Sequence, residues 1–197
     1  MEVRVANHDD AISIQNIYAY YVKNTNITFE YDIPSVEEMV KRMTKTLEKY
    51  PYLVLEDHHE IVGYAYASRY QEKKAYDWDC DLTIYLAHNK HGYGYGRMLY
   101  NALIQLLQKM NYQNLYVCIT HPNEKSEKFH QKMGFSLVGC FQRSGYKFNQ
   151  WHDMIWMQKA IGCYDKVAEI VPFSQLTSAE IAACLTENDI QENNIVL

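Results

Sequence analysis

No stretch of this 197-residue chain comes near the roughly 18 consecutive apolar residues that a membrane-spanning helix needs, so no membrane segment is expected. Positive charge is scarce as well. Nineteen Lys and Arg stand against 24 Asp and Glu, a net charge of −5. With no basic stripe to neutralise phosphates, a nucleic-acid partner is not expected. The two dense basic spots, Lys41-Arg42 and Lys73-Lys74, read as solvated surface. Cys-x-x-Cys is missing, and the five cysteines are odd in number and widely spaced. Met1-Glu2-Val3-Arg4 enters a strand pattern at once and does not read as a secretory leader. These features predict reduced thiols and a cytoplasmic protein. His88 and His91 lie three apart with no third ligand nearby, so no metal site is expected.

What is present is an ordinary globular balance, 48 % hydrophobic and 22 % charged, with 18 tyrosines. The length suits one domain with a sizeable core and an appendage. Val3 to Val5 reads as a strand. Asp9 or Asp10 is expected to cap a helix to about Lys23, whose apolar face is Ile14, Ile17, Tyr18, Tyr21 and Val22. Ser35-Val36-Glu37-Glu38 is a capping box that opens a second helix, and Pro51 closes it. Residues 52–56 and 61–68 form a predicted hairpin, and 78–86 a longer strand. Leu99, Leu103, Leu106 and Met110 mark a helix face, 115–120 the next strand, and 123–133 a short helix ended by Gly134. Residues 135–140 and 152–159 are the last strands. This order predicts an α+β fold of three layers with a mixed, mostly antiparallel sheet. Residues 1–162 are read as the domain. Residues 163–197 are read as an appendage, with Ser178 capping a short helix and a polar end from Glu187 to Asn194.

The most informative segment follows the strand that ends at Ile84-Tyr85-Leu86. There His91-Gly92-Tyr93-Gly94-Tyr95-Gly96-Arg97 leads directly into a helix. Glycines let backbone close on a ligand, and a helix start presents free N–H groups and a positive dipole end to an anion. A pyrophosphate cradle is one reading; a glycine-rich turn without a ligand is another. Gly-x-Gly-x-Gly does not match the dinucleotide fingerprint, and the Gly-Lys-Ser/Thr of a triphosphate loop is absent.

This element order and loop resemble the GCN5-related N-acetyltransferase superfamily, whose coenzyme signature is Arg/Gln-x-x-Gly-x-Gly/Ala. Histidine stands at its first position here. Asn123-Glu124-Lys125-Ser126, followed by Phe129 to Phe135, resembles the family's second coenzyme block. Three further segments are similar to the phosphinothricin and methionine sulfoximine acetyltransferase-like branch. They are Thr25 to Glu30, Asp81 to Leu86 and Gly145 to Asp153. Two positions depart from that branch: Gln71 replaces an arginine, and Asp81 replaces a glutamate.

The resemblance implies a splayed coenzyme cleft, acetyl-CoA as cosubstrate, a small amine as acceptor and a homodimer. It also assigns residues. Gly92, Tyr93, Gly94, Tyr95, Gly96 and Arg97, with His91, would hold the pyrophosphate. Ile84, Tyr85 and Leu86 would meet the pantetheine arm, helped by Asn123 and Ser126. Asp81 is the candidate base and His130 the candidate acid. Phe29, Glu30, Gln71, Lys73, Thr83 and Lys147 would line the acceptor pocket. Lys147 could instead face a dimer partner, as could Trp151. Acetyl transfer needs a neutral amine, a donor for the developing oxyanion and a held thioester, and no acyl-enzyme. Polyamine or protein N-terminal acetylation, or coenzyme binding without catalysis, are the alternatives.

Overall fold

The computed structural model describes residues 1–186. In chain order the elements are β1 (Glu2–Val5), α1 (Ala11–Asn24), α2 (Val36–Leu47), β2 (Tyr52–Asp57), β3 (Glu60–Arg69), β4 (Asp79–Leu86) and α3 (Tyr95–Lys109). Then come β5 (Asn114–His121), α4 (Glu124–Lys132), β6 (Ser136–Lys147), β7 (Gln150–Ala160) and α5 (Ser178–Thr186).

The strands form one sheet in the order β1-β2-β3-β4-β5-β7-β6. Five neighbouring pairs are antiparallel, and β4–β5 alone is parallel. A parallel pair needs a crossover, and α3 supplies it. Leu99, Tyr100, Leu103, Leu106 and Leu107 of α3 bury themselves on one face of the sheet, together with Leu53, Leu55, Cys80, Leu82 and Leu115. On the other face Ile14, Ile17 and Tyr21 of α1 and Met39 and Met43 of α2 cover Tyr52, Val54 and Tyr64. The result is the expected three-layer α+β architecture. Strand alternation then sorts β4. Cys80 and Leu82 go under α3, which leaves Asp81, Thr83 and Tyr85 on the α1/α2 side.

Local differences have local causes. Asn7, not Asp9 or Asp10, makes the first cap, accepting from the Asp9 N–H. The Asp10 carboxylate accepts from the Asn7 N–H and pairs with Arg4, so it is not available to cap α1. Thr177 rather than Ser178 caps α5, exchanging hydrogen bonds with Glu180. β6 runs seven residues past the expected end at Cys140, to Lys147. Its hairpin with β7 turns at Phe148 and Asn149, both left-handed at φ 51° and 58°. Phe-Asn is a poor signal for such a turn, which usually shows a glycine.

Residues 163–186, expected to belong to an appendage, make contacts with the preceding elements. Phe173 is buried in the core under α3. The Val171 N–H donates to Met110 O, the Phe173 N–H to Lys49 O and the Trp78 indole to Ala168 O. Glu180 pairs with Lys109 of α3 at 3.1 Å. Residues 187–197, which include the polar end, lie outside the described residues.

Candidate active site

The site begins where β4 and β5 part. Their register holds for three pairs, Asp79 with Asn114, Cys80 with Leu115 and Asp81 with Tyr116. Beyond Asp81, β5 stays bonded to β7 as far as His121, and β4 stays bonded to β3 as far as Leu86. The facing backbone of Thr83 to Leu86 is thus open toward the gap. Unpaired strand edges call for hydrogen-bond partners, so the splay is a slot for an extended chain.

At the mouth of the slot stands the N-terminus of α3. Gly94 is its N-cap, at φ 83°, and no side chain caps it. Gly92 is also left-handed, at φ 90°, and open space surrounds the position of a Cβ at both. No acid occupies the first turn. By contrast Ser35 caps α2 and Asn123 caps α4. An uncapped, glycine-led helix start fits a phosphate group. Gly96 has a different duty: a Cβ there would lie 3.2 Å from the Phe129 ring, so the glycine lets α3 approach α4. Tyr93 is exposed, whereas Tyr95 is buried and donates to Asp57 at 2.8 Å. Arg97 is exposed on the first turn. His91 Nε2 lies 3.3 Å from the Tyr21 hydroxyl, which donates to Leu86 O. Burial and the charge of Lys125 hold the His91 imidazole below its ordinary pKa. That brings Lys125 of α4 to the phosphate end, a cation the motif reading passed over.

Asn123 and Ser126 start α4, with Asn123 Oδ1 accepting the Ser126 N–H at 3.3 Å. His130 is not a surface residue. It is 3 % exposed, packed among Tyr100, Phe129 and Phe135. Nδ1 lies 2.8 Å from Ser126 O, and a carbonyl only accepts, so Nδ1 carries the proton. Nε2 then accepts from the Tyr100 hydroxyl at 3.0 Å. Burial pushes its pKa down to about 4. Both nitrogens are engaged and the ring is neutral, so proton delivery would require these bonds to open first.

Asp81 stands at the head of the splay, on the face opposite Cys80. Ser68 of β3 and Tyr116 of β5 flank it in register. Its Oδ1 is buried without a hydrogen-bond partner. Burial alone raises its carboxyl to about 7. The negative charge reaches Tyr66, Tyr70 and Cys118, whose acid groups it pushes further up. A half-buried carboxyl with one free oxygen and a pKa near neutrality has what a general base needs.

Above this face runs the 25–31 loop. Thr120 of β5 donates to Asn26 O at 2.7 Å, and the Tyr31 hydroxyl donates to Tyr146 O. A Cβ at Gly145 would overlap the Phe29 ring, so that glycine seats Phe29. Lys147 corrects the expectation of a substrate contact. It is 2 % exposed, and its ammonium donates to Val22 O at 2.8 Å and to Thr28 O at 2.7 Å. A buried ammonium needs such acceptors, and these two tie the loop to the end of α1. Glu30 pairs with Arg42 of α2 at 2.7 Å, and Arg42 also reaches Glu38 at 3.0 Å. Thr83 sits beside Tyr66 in register. Gln71 and Lys73 are exposed in the 70–78 loop, which Arg69 folds by donating to Gln71 O and Glu72 O. Arg42, Tyr66, Tyr70 and Tyr116 join Lys125 as additions to the sequence-read site. Only the Glu38–Arg42 spacing on a helix could have flagged one of them.

A mixed sheet split between β4 and β5, with a glycine-led helix at the slot's mouth, is the framework of a coenzyme-dependent acyltransferase. The chain belongs to the GNAT acetyltransferase family: the model "Acetyltransferase (GNAT) domain" matches residues 3–156. It is 33 % identical to a phosphinothricin N-acetyltransferase of Alcaligenes faecalis, over 83 % of this chain and 84 % of that protein. Identity to the Streptomyces coelicolor phosphinothricin N-acetyltransferase is 31 %, over 82 % and 96 %. Among solved structures, the phosphinothricin acetyltransferase of Sinorhizobium meliloti in complex with AcCoA superposes with a TM-score of 0.82 at 30 % identity. The match covers 87 % of this chain and 96 % of that one. The protein is therefore an N-acetyltransferase.

Proposed function

We propose that the protein transfers an acetyl group directly from acetyl-CoA to the amino group of a small amino-acid-like molecule. The observation that carries this reading is Asp81, a carboxyl with one unpartnered oxygen at the head of the β4–β5 splay. The uncapped α3 N-terminus, with Gly92 and Gly94 leaving open space around the backbone, fits the coenzyme's pyrophosphate. When bound there, the coenzyme supplies the acetyl thioester. The chain's residues do the rest. His91, Arg97 and Lys125 add positive charge or donors at the phosphate end. The open edge of Ile84, Tyr85 and Leu86 holds the pantetheine arm in extended form, with an N–H near Leu86 placed for the thioester oxygen. Asp81 takes the ammonium proton, through a water because its side chain is short. The amine nitrogen then bonds the acetyl carbon as its bond to sulfur breaks, and the sulfur departs as the thiol with the second amine proton. Asn123 and Ser126 fix α4 beside the slot, and His130 locks that helix onto α3 through Tyr100. The named activity of the relatives supports an acceptor of the phosphinothricin or methionine sulfoximine kind.

The working unit is proposed to be a homodimer in a reducing cytoplasm. Support comes from β6, an edge strand that exposes Leu137, Val138 and Phe141 beside Phe148 and Trp151 of its hairpin. Thiol release from acetyl-CoA in the presence of a panel of amino acids, their sulfone and phosphinate analogues, and polyamines tests the function. Turnover confined to small amino acids and analogues is expected. Faster turnover of polyamines would replace the acceptor class.

A further inference from the structure

The acceptor face is lined with rings, and the cations close to it are engaged elsewhere. Tyr66 of β3 pairs with Thr83 in register, and its hydroxyl feels the charges of Arg42, Glu30 and Asp81. On the other side of Asp81, Tyr70 stacks face to face on Tyr116 at 4.2 Å and meets Trp156 edge-on at 5.8 Å. Tyr116 is the direct register neighbour of Asp81, and Trp156 that of Cys118. Three tyrosine rings therefore stand around the Asp81 carboxyl, with Trp156 edge-on to Tyr70.

The cations on the strands and helix around the face, Arg69, Lys147 and Arg42, have their partners, and Lys73 stands exposed to solvent on the 70–78 loop. The Arg69 guanidinium is bonded to Gln71 O, Glu72 O and Asp77. Lys147 is bonded to two carbonyls. Arg42 is held between Glu30 and Glu38. The burial that raises the Asp81 carboxyl is not offset by any positive neighbour. A second acid on the acceptor would thus enter an environment of carboxylates and ring faces. Its desolvation would be uncompensated. A ring or branched apolar group, by contrast, would gain contact area and ring–ring geometry against Tyr70 and Tyr116.

We infer that the Tyr66/Tyr70/Tyr116 wall selects an amine whose side group is aromatic or branched apolar, and that it disfavours a second acidic group. This rests on the acetyltransferase reading above, and within it departs from the phosphinothricin kind of acceptor that the relatives' names support. The test is steady-state kinetics with acetyl-CoA on wild type, Tyr70→Ala and Tyr70→Phe. The acceptors are phenylalanine, leucine, phenethylamine, methionine sulfone, phosphinothricin and spermidine. Wild type is expected to favour phenylalanine, leucine or phenethylamine over phosphinothricin by about tenfold or more in kcat/KM, the scale of pocket discrimination. Tyr70→Ala should erase that preference through acceptor KM, with the affinity for coenzyme unchanged by calorimetry. Tyr70→Phe, which keeps the ring, should restore it. Phosphinothricin or spermidine matching the apolar amines in wild type would overturn the inference and leave acetyl transfer standing. An unchanged preference in Tyr70→Ala would remove the wall from selection. Coenzyme binding without turnover of any amine would sink the underlying reading and the inference with it.

Discussion

Asp81 and His130 are both half- or fully buried titratable groups, and their effects on stability run in opposite directions. Burial lifts the Asp81 carboxyl from 3.8 to about 7. Between those values the folded chain keeps a proton that the unfolded chain releases. The group therefore favours folding at low pH and opposes it as pH climbs toward 7, by up to about 4 kcal/mol at 1.36 kcal/mol per unit. Asp81→Asn removes that opposition. Its thermal midpoint above pH 7 should rise by several degrees, while turnover falls on the order of 10²–10⁴-fold and coenzyme affinity holds. The acid limb of kcat/KM near pH 7 should vanish with the carboxyl. A variant that is fully active and no more stable than wild type would take Asp81 out of the chemistry. For His130, burial lowers the pKa from 6.5 to about 4. As pH falls through that window the unfolded chain gains the proton first, so folding stability is lost, by about 3 kcal/mol in all. Urea unfolding measured from pH 7 to pH 4 should show this decline, and His130→Gln should flatten it. An equally steep decline in that variant would assign the acid sensitivity to other groups.

Between elements, the 25–31 loop, proposed to cover the acceptor, is held from three strands as well as by its own Thr25 and Thr28 turns. Thr120 reaches it from β5, Gly145 and Lys147 from β6, and His152 from β7 through Asn26 at 3.1 Å. Gly145→Ala places a methyl where Phe29 sits, so the loop must shift. The expected result is a raised KM for the acceptor with unchanged coenzyme affinity. Phe29→Ala in the same chain should recover part of the loss, because the overlap disappears. An additive double variant would mean that Gly145 and Phe29 act separately. These contacts also explain what could be read from the sequence. The element order, the α3 and α4 boundaries and the Cys80/Asp81 alternation follow from periodicity and glycine placement, which are local. Contacts such as Lys147 to Val22 O join residues 125 positions apart. Nothing local distinguishes a lysine that meets a carbonyl from one that meets a substrate. The same holds for His130: its helix reads as polar, yet the ring lies against Tyr100, thirty residues away. The tyrosine pairs are not legible in the sequence because a ring's partner across a sheet depends on register, and register depends on the whole topology.

For the molecule as a whole, the unresolved tension is the β6 edge. An edge strand offers unpaired backbone groups, and charge, proline or a covering element normally blunts it. Here Leu137, Phe141, Phe148 and Trp151 are 53–60 % exposed along that edge and its hairpin. Scattered single apolar residues need no explanation, but several along one edge strand and its hairpin do. A second copy is the proposed cover, since one patch pairing with itself closes a two-fold dimer and leaves no further edge. The hairpin also carries Gly145 and Lys147, so association would stiffen the strand that holds the acceptor loop. A charge placed in the patch should separate the copies without touching the coenzyme slot. Trp151→Glu is expected to move the protein from dimer to monomer mass in light scattering at micromolar concentration. Acceptor KM should rise while coenzyme affinity stays unchanged. Wild-type protein running as a monomer over that range would refute the dimer. A monomeric Trp151→Glu with an unaltered acceptor KM would separate association from the support of the loop.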